Sequence, residues 1–294
     1  MNILITGVNG LLGYEVAKLL CNNPDHTIYG LARTSQLVQA ENYKHIRTDL
    51  QQAEFITLLP QKLDAVFHFA QSEKFRNFPQ SALEVFDTNT VSTLKLLEYA
   101  RQAGAGKFIY ASSGGVYGNK DIGFTEDSPV MGNGELGFYL STKLCSEILA
   151  DNYSVFFDVI QLRFFFVYGE RQNKTMLIPR LVNSVLNRIP IILAGTGGIK
   201  INPVYVVDAA HAVVNTLKLS HSDKINIGGT EDLSIKEIAE TISAKTGIEP
   251  IFEYTDSEPK NLIGDIQKMK HILFTPAINF EMGVDKLIKS ISHE

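Results

Sequence analysis

The chain has 294 residues, enough for one large α/β domain with an appended lobe. Its 27 basic against 32 acidic residues leave a net charge of −5, a poor match to a nucleic-acid backbone, and 45% hydrophobic content rules out a disordered chain. The two cysteines, Cys21 and Cys145, form neither a disulfide framework nor a CxxC metal pair, which points to a reducing, cytoplasmic setting.

Read in chain order, short apolar runs alternate with segments of helical period. Asn2–Thr6 reads as a strand from the outset, with no basic stretch ahead of an apolar one, so no signal peptide is expected. Leu11–Leu20 follows as a helix, then strands at Thr27–Ala32, His45–Asp49 and Ala65–Ala70. Glu84–Arg101 is helical, Lys107–Ser113 a strand, Tyr139–Asn152 a helix and Val159–Val167 a strand. Strands alternating with helices imply parallel pairing, because each crossover must return the chain to the same end of the sheet. The fold class is therefore α/β, a doubly wound parallel sheet.

The second half reads as helix Met176–Arg188, strand Ile191–Leu193, a helix Asp208–Leu219 returning towards the main sheet, helix Leu233–Thr246 and a closing segment Met282–Ile291. Gly118–Gly137 is the longest irregular stretch, and long loops in compact domains usually carry function. No apolar run reaches the ~18 residues of a membrane helix, and none of the seven histidines has ligand spacing, so neither membrane nor metal is expected.

Thr6-Gly7-Val8-Asn9-Gly10-Leu11-Leu12-Gly13 lies at the first strand-to-helix junction. One glycine permits the turn, a second lets a pyrophosphate reach the backbone amides, and a third lets helix pack on strand. The helix N-terminus then offers unpaired N–H groups and a positive dipole end. The same glycines could make an ordinary tight turn; their place at the first junction of an alternating chain favours a dinucleotide.

The GxxGxxG spacing resembles that of the extended short-chain dehydrogenase/reductases of the nucleotide-sugar epimerase/dehydratase group. The resemblance implies a Rossmann domain over residues 1–168 that binds NAD or NADP and takes back 200–222. It also implies a smaller α/β substrate lobe from 169–199 and 223–294, a sugar-nucleotide substrate, and a homodimer through the helices containing Glu84–Arg101 and Tyr139–Asn152. An acidic side chain ending the second strand would bond the adenosine ribose of NAD, but that place holds Ala32. Arg33-Thr34-Ser35 follows, a cation and two hydroxyls suited to a 2′-phosphate, so NADP is preferred and NAD remains possible. Asp49-Leu50 resembles the family's adenine-contacting pair and equally suits a helix N-cap. Phe69-Ala70 matches the small residue packed beside the cofactor, and Asn89 the structural Asn of the next helix. Asn9, Leu11 and Leu12 complete the cofactor turn.

Tyr139 and Lys143, four residues apart on a helix, share one face. A free phenol has a pKa near 10; a neighbouring ammonium favours the phenolate and brings it towards a useful range. Ser112-Ser113-Gly114-Gly115-Val116-Tyr117-Gly118 resembles the family's SSxxxVYG segment, and Ser113 precedes Tyr139 by 139 − 113 = 26 residues. The resemblance implies that Ser113 bonds the reacting oxygen, Tyr139 moves the proton, and Lys143 holds the nicotinamide ribose and tunes the phenol. In sugar 4,6-dehydratases an Asp-Glu pair follows the hydroxyl residue; here Gly114 and Gly115 stand there, which disfavours dehydration.

On the substrate side the match loosens. Leu162-Arg163-Phe164-Phe165-Phe166-Val167-Tyr168-Gly169 resembles LRxxNxYG, with Phe166 in place of the Asn that contacts phosphates. Gly195–Asp208 resembles GxGxxxRxxxYVxD, with Ile201 in place of the diphosphate-clamping Arg and Lys200 beside it. Phe166 is read either as part of a buried strand or as lining a more apolar pocket. The leading expectation is an NAD(P)-dependent epimerase or reductase of a nucleotide-linked sugar. The alternatives are an NADPH-dependent reductase of an apolar ketone and a non-catalytic dinucleotide sensor.

Overall fold

The structure is a computed structural model and describes residues 1–118, 123–132 and 136–292; within the irregular Gly118–Gly137 stretch, 119–122 and 133–135 lie outside the described residues. The chain opens with β1 (Asn2–Thr6), α1 (Leu11–Cys21), β2 (Thr27–Ala32), β3 (Tyr43–Arg47) and β4 (Ala65–His68). A helical run follows, made of α2 (Ala82–Phe86), a π-turn at Asp87–Val91 and α3 (Ser92–Gln102). Then come β5 (Lys107–Ser113), α4 (Gly137–Tyr153) and β6 (Asp158–Phe164). The second half supplies β7 (Val167–Tyr168), α5 (Leu177–Leu186), β8 (Ile191–Ala194), β9 (Lys200–Ile201), β10 (Val204–Tyr205) and α6 (Val206–Asn215). It closes with β11 (Asp223–Ile227), β12 (Leu233–Ser234), α7 (Ile235–Thr246), β13 (Phe252–Thr255), α8 (Gln267–Ile272) and α9 (Phe280–Ser292).

Seven strands form the main sheet in the order β11-β6-β5-β4-β1-β2-β3, and the β1–β2, β1–β4, β2–β3 and β4–β5 pairs are parallel. The doubly wound sheet expected from the alternation of elements is present. Central strands of such a sheet are covered on both faces, and β4 is buried at every position. One side of the sheet packs Leu4, Val66 and Phe108 against Leu96, Leu97 and Ala100 of α3. Strand order reverses between β1 and β4, and open α/β sheets bind ligands beyond the carboxyl ends of the strands at such a point.

Residue contacts divide the chain into two compact units. The first comprises Met1–Gly118, Pro129–Arg163 and Ala210–Ile225; the second comprises Phe164–Ala209 and Asn226–Glu294 with the described part of 119–128. In the second unit α5, α7 and α9 enclose a core containing Leu181, Val182, Ile238 and Val284. Helix α7 begins with a capping box, in which Ser234 Oγ accepts from Glu237 N (3.2 Å) and Glu237 Oε2 accepts from Ser234 N (2.7 Å). With Ser234 as its cap the helix starts at Ile235, two residues after the expected Leu233.

Several boundaries differ from expectation for identifiable reasons. Strand β3 lies two residues before the expected His45–Asp49, because Tyr43 is the buried position that pairs with Ile28. The expected strand Val159–Val167 stops at Phe164: Phe166 has φ 48°, so the pleat ends there and β7 starts afresh. Phe166 is thus not strand, and it packs half-buried on the second unit's core. The strands β11 and β13 were not anticipated. Both are short runs with charged residues, and pairing to β6 and β8 decides their state.

Candidate active site

At the glycine turn the chain leaves β1 with Gly7 at φ 69°, donating to Leu31 O (3.0 Å) while Gly10 N donates to Gly7 O (2.9 Å). A Cβ on Gly7 would lie 2.8 Å from Ala70 N, and one on Gly13 would lie 2.3 Å from Gly7 O. The ends of β1 and β4 and the start of α1 therefore close on one another with no room for side chains. Gly10 caps α1 without a side chain, and the first turn holds no acidic residue. The amides at this helix end face outward in a positive dipole field, which fits a pyrophosphate.

Beyond β2, Arg33 pairs with Glu73 (2.7 Å), both side chains largely exposed. Asn9 Nδ2 donates to Thr34 Oγ1 (2.7 Å) and Ser35 O (2.8 Å), tying the glycine turn to the strand end, and its buried Oδ1 has no partner among the described residues. Arg47, in register with Ala32, donates from Nε to Arg33 O (3.2 Å) and adds a second cation that sequence reasoning missed. His45 Nε2 donates to Thr34 O (2.9 Å), so its Nδ1 accepts from the Tyr43 hydroxyl (3.1 Å). Asp49 caps no helix: its Oδ1 accepts from Gln51 N (3.0 Å) in a turn. The Leu50 side chain lies in the core, which leaves only its backbone for a ligand.

Phe69 and Ala70 follow β4, with Ala70 N donating to Thr6 Oγ1 (3.3 Å). Asn89 sits in the π-turn with its amide engaged inside the protein, accepting from Ser72 N (2.9 Å) and donating to Thr142 Oγ1 (3.0 Å). The irregular turn frees the Asn89 carbonyl, which accepts from Thr93 Oγ1 (2.5 Å) and Ser146 Oγ (3.0 Å). Asn89 thus joins the loop after β4 to α4. The chain continues to His68, whose Nε2 donates to Thr93 Oγ1 (2.9 Å) and whose Nδ1 accepts from Thr6 Oγ1 (2.7 Å). That pattern requires a neutral ring, and burial, aided by the Lys143 charge, pushes its pKa down to about 3.

Ser113, Tyr139 and Lys143 come together at the carboxyl end of β5 and on the facing turns of α4. Ser113 Oγ accepts from Gly115 N (3.2 Å) and hydrogen-bonds the Tyr139 phenol, which donates to Gln71 Oε1 (3.0 Å). Lys143 is 2% exposed and donates from Nζ to Ala111 O (2.8 Å), lying 5.7 Å from the Tyr139 ring centre. Burial raises the phenol's pKa, against which the Ser113 hydrogen bond and the Arg76 charge both act. Burial also lowers the Lys143 ammonium to about 7, opposed by the Glu147 carboxylate. Burial thus drives the two proton affinities apart, so the expected lowering of the Tyr139 phenol by Lys143 is not found: the phenol stays protonated, poised to donate to a bound oxygen.

Three groups beside this set were missed. Gln71 lies three residues past the end of β4, Phe75 lies 5.1 Å from the Tyr139 ring, and Arg76 caps Phe75 at 4.6 Å. No local signal marked the loop 71–78, since only tertiary packing brings it to the phenol. The substrate-side residues belong to the second unit: Lys200 is exposed on β9, its N donating to Asn261 Oδ1 (2.8 Å), whereas Ile201 is fully buried in that unit's core.

The model of the NAD dependent epimerase/dehydratase family matches residues 3–228. The chain belongs to that family. Among its relatives, the UDP-glucuronate 4-epimerase of Thermodesulfobacterium geofontis is 27% identical over 97% of this chain and 94% of its own length. The dTDP-4-dehydro-6-deoxyglucose reductase of Escherichia coli is 30% identical over 78% of this chain and 75% of its own. The crystal structure of UDP-glucuronic acid 4-epimerase from Bacillus cereus, in complex with UDP-glucuronic acid and NAD, superposes with a TM-score of 0.88 at 26% identity, covering 100% of this chain and 99% of that one. No helix among the described residues of this family member is long and apolar enough to cross a membrane.

Proposed function

We propose that the protein is an epimerase or reductase that works through a keto sugar carried on a nucleoside diphosphate. The observation that carries this reading is the buried contact of Ser113, Tyr139 and Lys143 at the mouth of a glycine-turn dinucleotide cradle. The bound nicotinamide supplies or accepts the hydride. Ser113 orients the reacting sugar oxygen, and Tyr139 Oη takes its proton on oxidation or returns one on reduction. Lys143 holds the ribose and stabilises the phenolate. Gln71, partnered with the phenol in the free protein, yields that hydrogen bond to substrate. A pure sensor needs no such proton donor.

Dehydration finds no support in this arrangement. Gly114 and Gly115 stand where the Asp-Glu pair would, and a Cβ on Gly115 would lie 2.9 Å from Leu140 Cδ2 and 3.3 Å from Ser113 Oγ, so a side chain there must first push both aside. The Bacillus cereus epimerase binds NAD, but NADP suits this chain better: Arg33 and Arg47 flank a strand end without a carboxylate, beside the hydroxyls of Thr34 and Ser35. The second unit is assigned to the sugar nucleotide, with Phe166 and Lys200 on its substrate side. The lone cysteines support a cytoplasmic location.

The test is turnover of a panel of UDP- and dTDP-linked sugars and their 4-keto forms with each coenzyme. Conversion of at least one, with NADPH bound more tightly than NADH, is expected; no conversion across the panel defeats the reading. A homodimer is part of the same proposal. Leu83, Leu94 and Ile148 are exposed by 82%, 41% and 63% on α2, α3 and α4, a sidedness that solvent does not favour. Sedimentation equilibrium should give twice the 32.6 kDa chain mass; a monomer at micromolar concentration refutes this part.

A further inference from the structure

The residues Tyr139, Lys143 and Glu147 follow at four-residue intervals on α4, so one helical stripe carries phenol, ammonium and carboxylate towards the sheet. Glu147 is fully buried and bound on every side. Its Oε1 accepts from Ser112 Oγ and from Arg163 Nε (3.1 Å), and its Oε2 accepts from Arg163 Nη2 (2.6 Å). The pair is bidentate, with side chains 4% and 3% exposed. Arg163 Nη1 also donates to the Tyr117 hydroxyl (2.7 Å), its guanidinium lying 4.7 Å from that ring centre, and Gln161 Nε2 donates to Glu147 O (3.0 Å).

Four segments thus meet at one ion pair: the end of β5 through Ser112 on the carboxylate, the following turn through Tyr117 on the guanidinium, β6 through Arg163, and α4 itself. Ser112 is the residue before Ser113, and its side chain points to the other face of the strand. Holding the Ser112 hydroxyl fixes the rotation of the strand end that presents Ser113 to the phenol. A buried ion pair loses much of its attraction to desolvation, and well-packed apolar residues often replace one without loss of stability. Fold stability alone is thus a weak reason for such a pair one helical turn from Lys143.

We propose that Glu147, clamped by Arg163, is a positioning residue for the reaction. It sets the strand end carrying Ser113 and the helical turn carrying Lys143 relative to the Tyr139 phenol. The inference rests on the functional reading above. Its electrostatic consequence has a definite sign. Lys143 is faced by Tyr139 and Glu147 on its own helix, by the Tyr110 ring on β5 (5.2 Å) and by neutral His68 on β4; Glu147 is the only anion among these described groups. It opposes the burial that lowers the ammonium, so its removal drives Lys143 lower still.

The experiment titrates Lys143 by NMR of lysine labelled at Cε, and measures the pH–rate profile, in wild type, Glu147→Gln and the Glu147→Met/Arg163→Met double variant. The double variant removes both charges together and keeps the protein folded if the single variant is unstable. The expected order of Lys143 midpoints is wild type, then double variant, then Glu147→Gln, which leaves an unpaired guanidinium nearby. The drop in Glu147→Gln should be about one pH unit, a tenfold change in protonation. In both variants kcat should fall at least about tenfold, with little change in coenzyme KM and with the alkaline limb moved down by as much as that variant's own Lys143 midpoint. A double variant with the wild-type midpoint and wild-type profile overturns the proposal. If wild type itself converts no nucleotide sugar, the functional reading has failed, and the Lys143 titration still decides the positioning role.

Discussion

Replacement of Tyr139 by Phe should lower turnover by about 10³-fold while leaving coenzyme affinity and the folded state nearly intact. The substitution removes one hydroxyl and keeps the ring that packs on Phe75 at 5.1 Å. Structurally the loss is the hydrogen bond to Gln71, worth about 1 kcal/mol, together with the contact from Ser113. Chemically it is the whole of the proposed proton-transfer route, because no other titratable hydroxyl among the described residues of this cluster contacts both Ser113 and Gln71. Lys143 does not replace it: its ammonium is committed to the Ala111 carbonyl at 2.8 Å. Single-turnover kinetics alongside coenzyme fluorescence titration would separate the two effects. Activity within tenfold of wild type would remove Tyr139 from the mechanism.

The second large effect concerns the glycine turn proposed to receive the pyrophosphate. Gly7 and Gly247 both adopt left-handed backbone, at φ 69° and 71°, yet their surroundings differ completely. A Cβ on Gly7 meets Ala70 N at 2.8 Å, whereas one on Gly247 meets nothing within 4 Å. Gly247→Ala therefore incurs only the backbone penalty, about 1–2 kcal/mol, and should leave coenzyme binding untouched. Gly7→Ala incurs the same penalty plus a clash that forces β1 and β4 apart, adding about 1–3 kcal/mol. The displaced turn no longer presents its amides, so coenzyme affinity should fall by about 100-fold or more. Denaturant melts and isothermal titration of both variants make the comparison. Equal behaviour of the two would show that the close approach of Gly7 to Ala70 has no bearing on the coenzyme.

These expectations draw on signals of different range, which explains what was readable in advance. The glycine turn, the strand end at Ser113 and the Tyr139/Lys143 pair are local: each lies within one element or one junction, where periodicity and backbone freedom dictate geometry. The β3 boundary, the break at Phe166 and the short strands β11 and β13 were not readable, because cross-strand partners decide them. Tyr43 occupies the place it does because Gly30 leaves room for its ring, a Cβ there falling 2.1 Å from the tyrosine hydroxyl. No window of sequence around Tyr43 contains that information.

The chain by itself settled the alternation of strands and helices and the place of the glycine turn, and it singled out Ser113, Tyr139 and Lys143 as candidates, since these follow from local spacing and side-chain chemistry. The folded arrangement alone decided that Gln71 and Phe75 meet the phenol, that Arg47 stands beside Arg33, and that Glu147 joins Arg163 beneath Lys143. Those contacts link residues far apart in the chain, and burial in a low-dielectric interior, which no local pattern records, gives their charges and hydrogen bonds their strength.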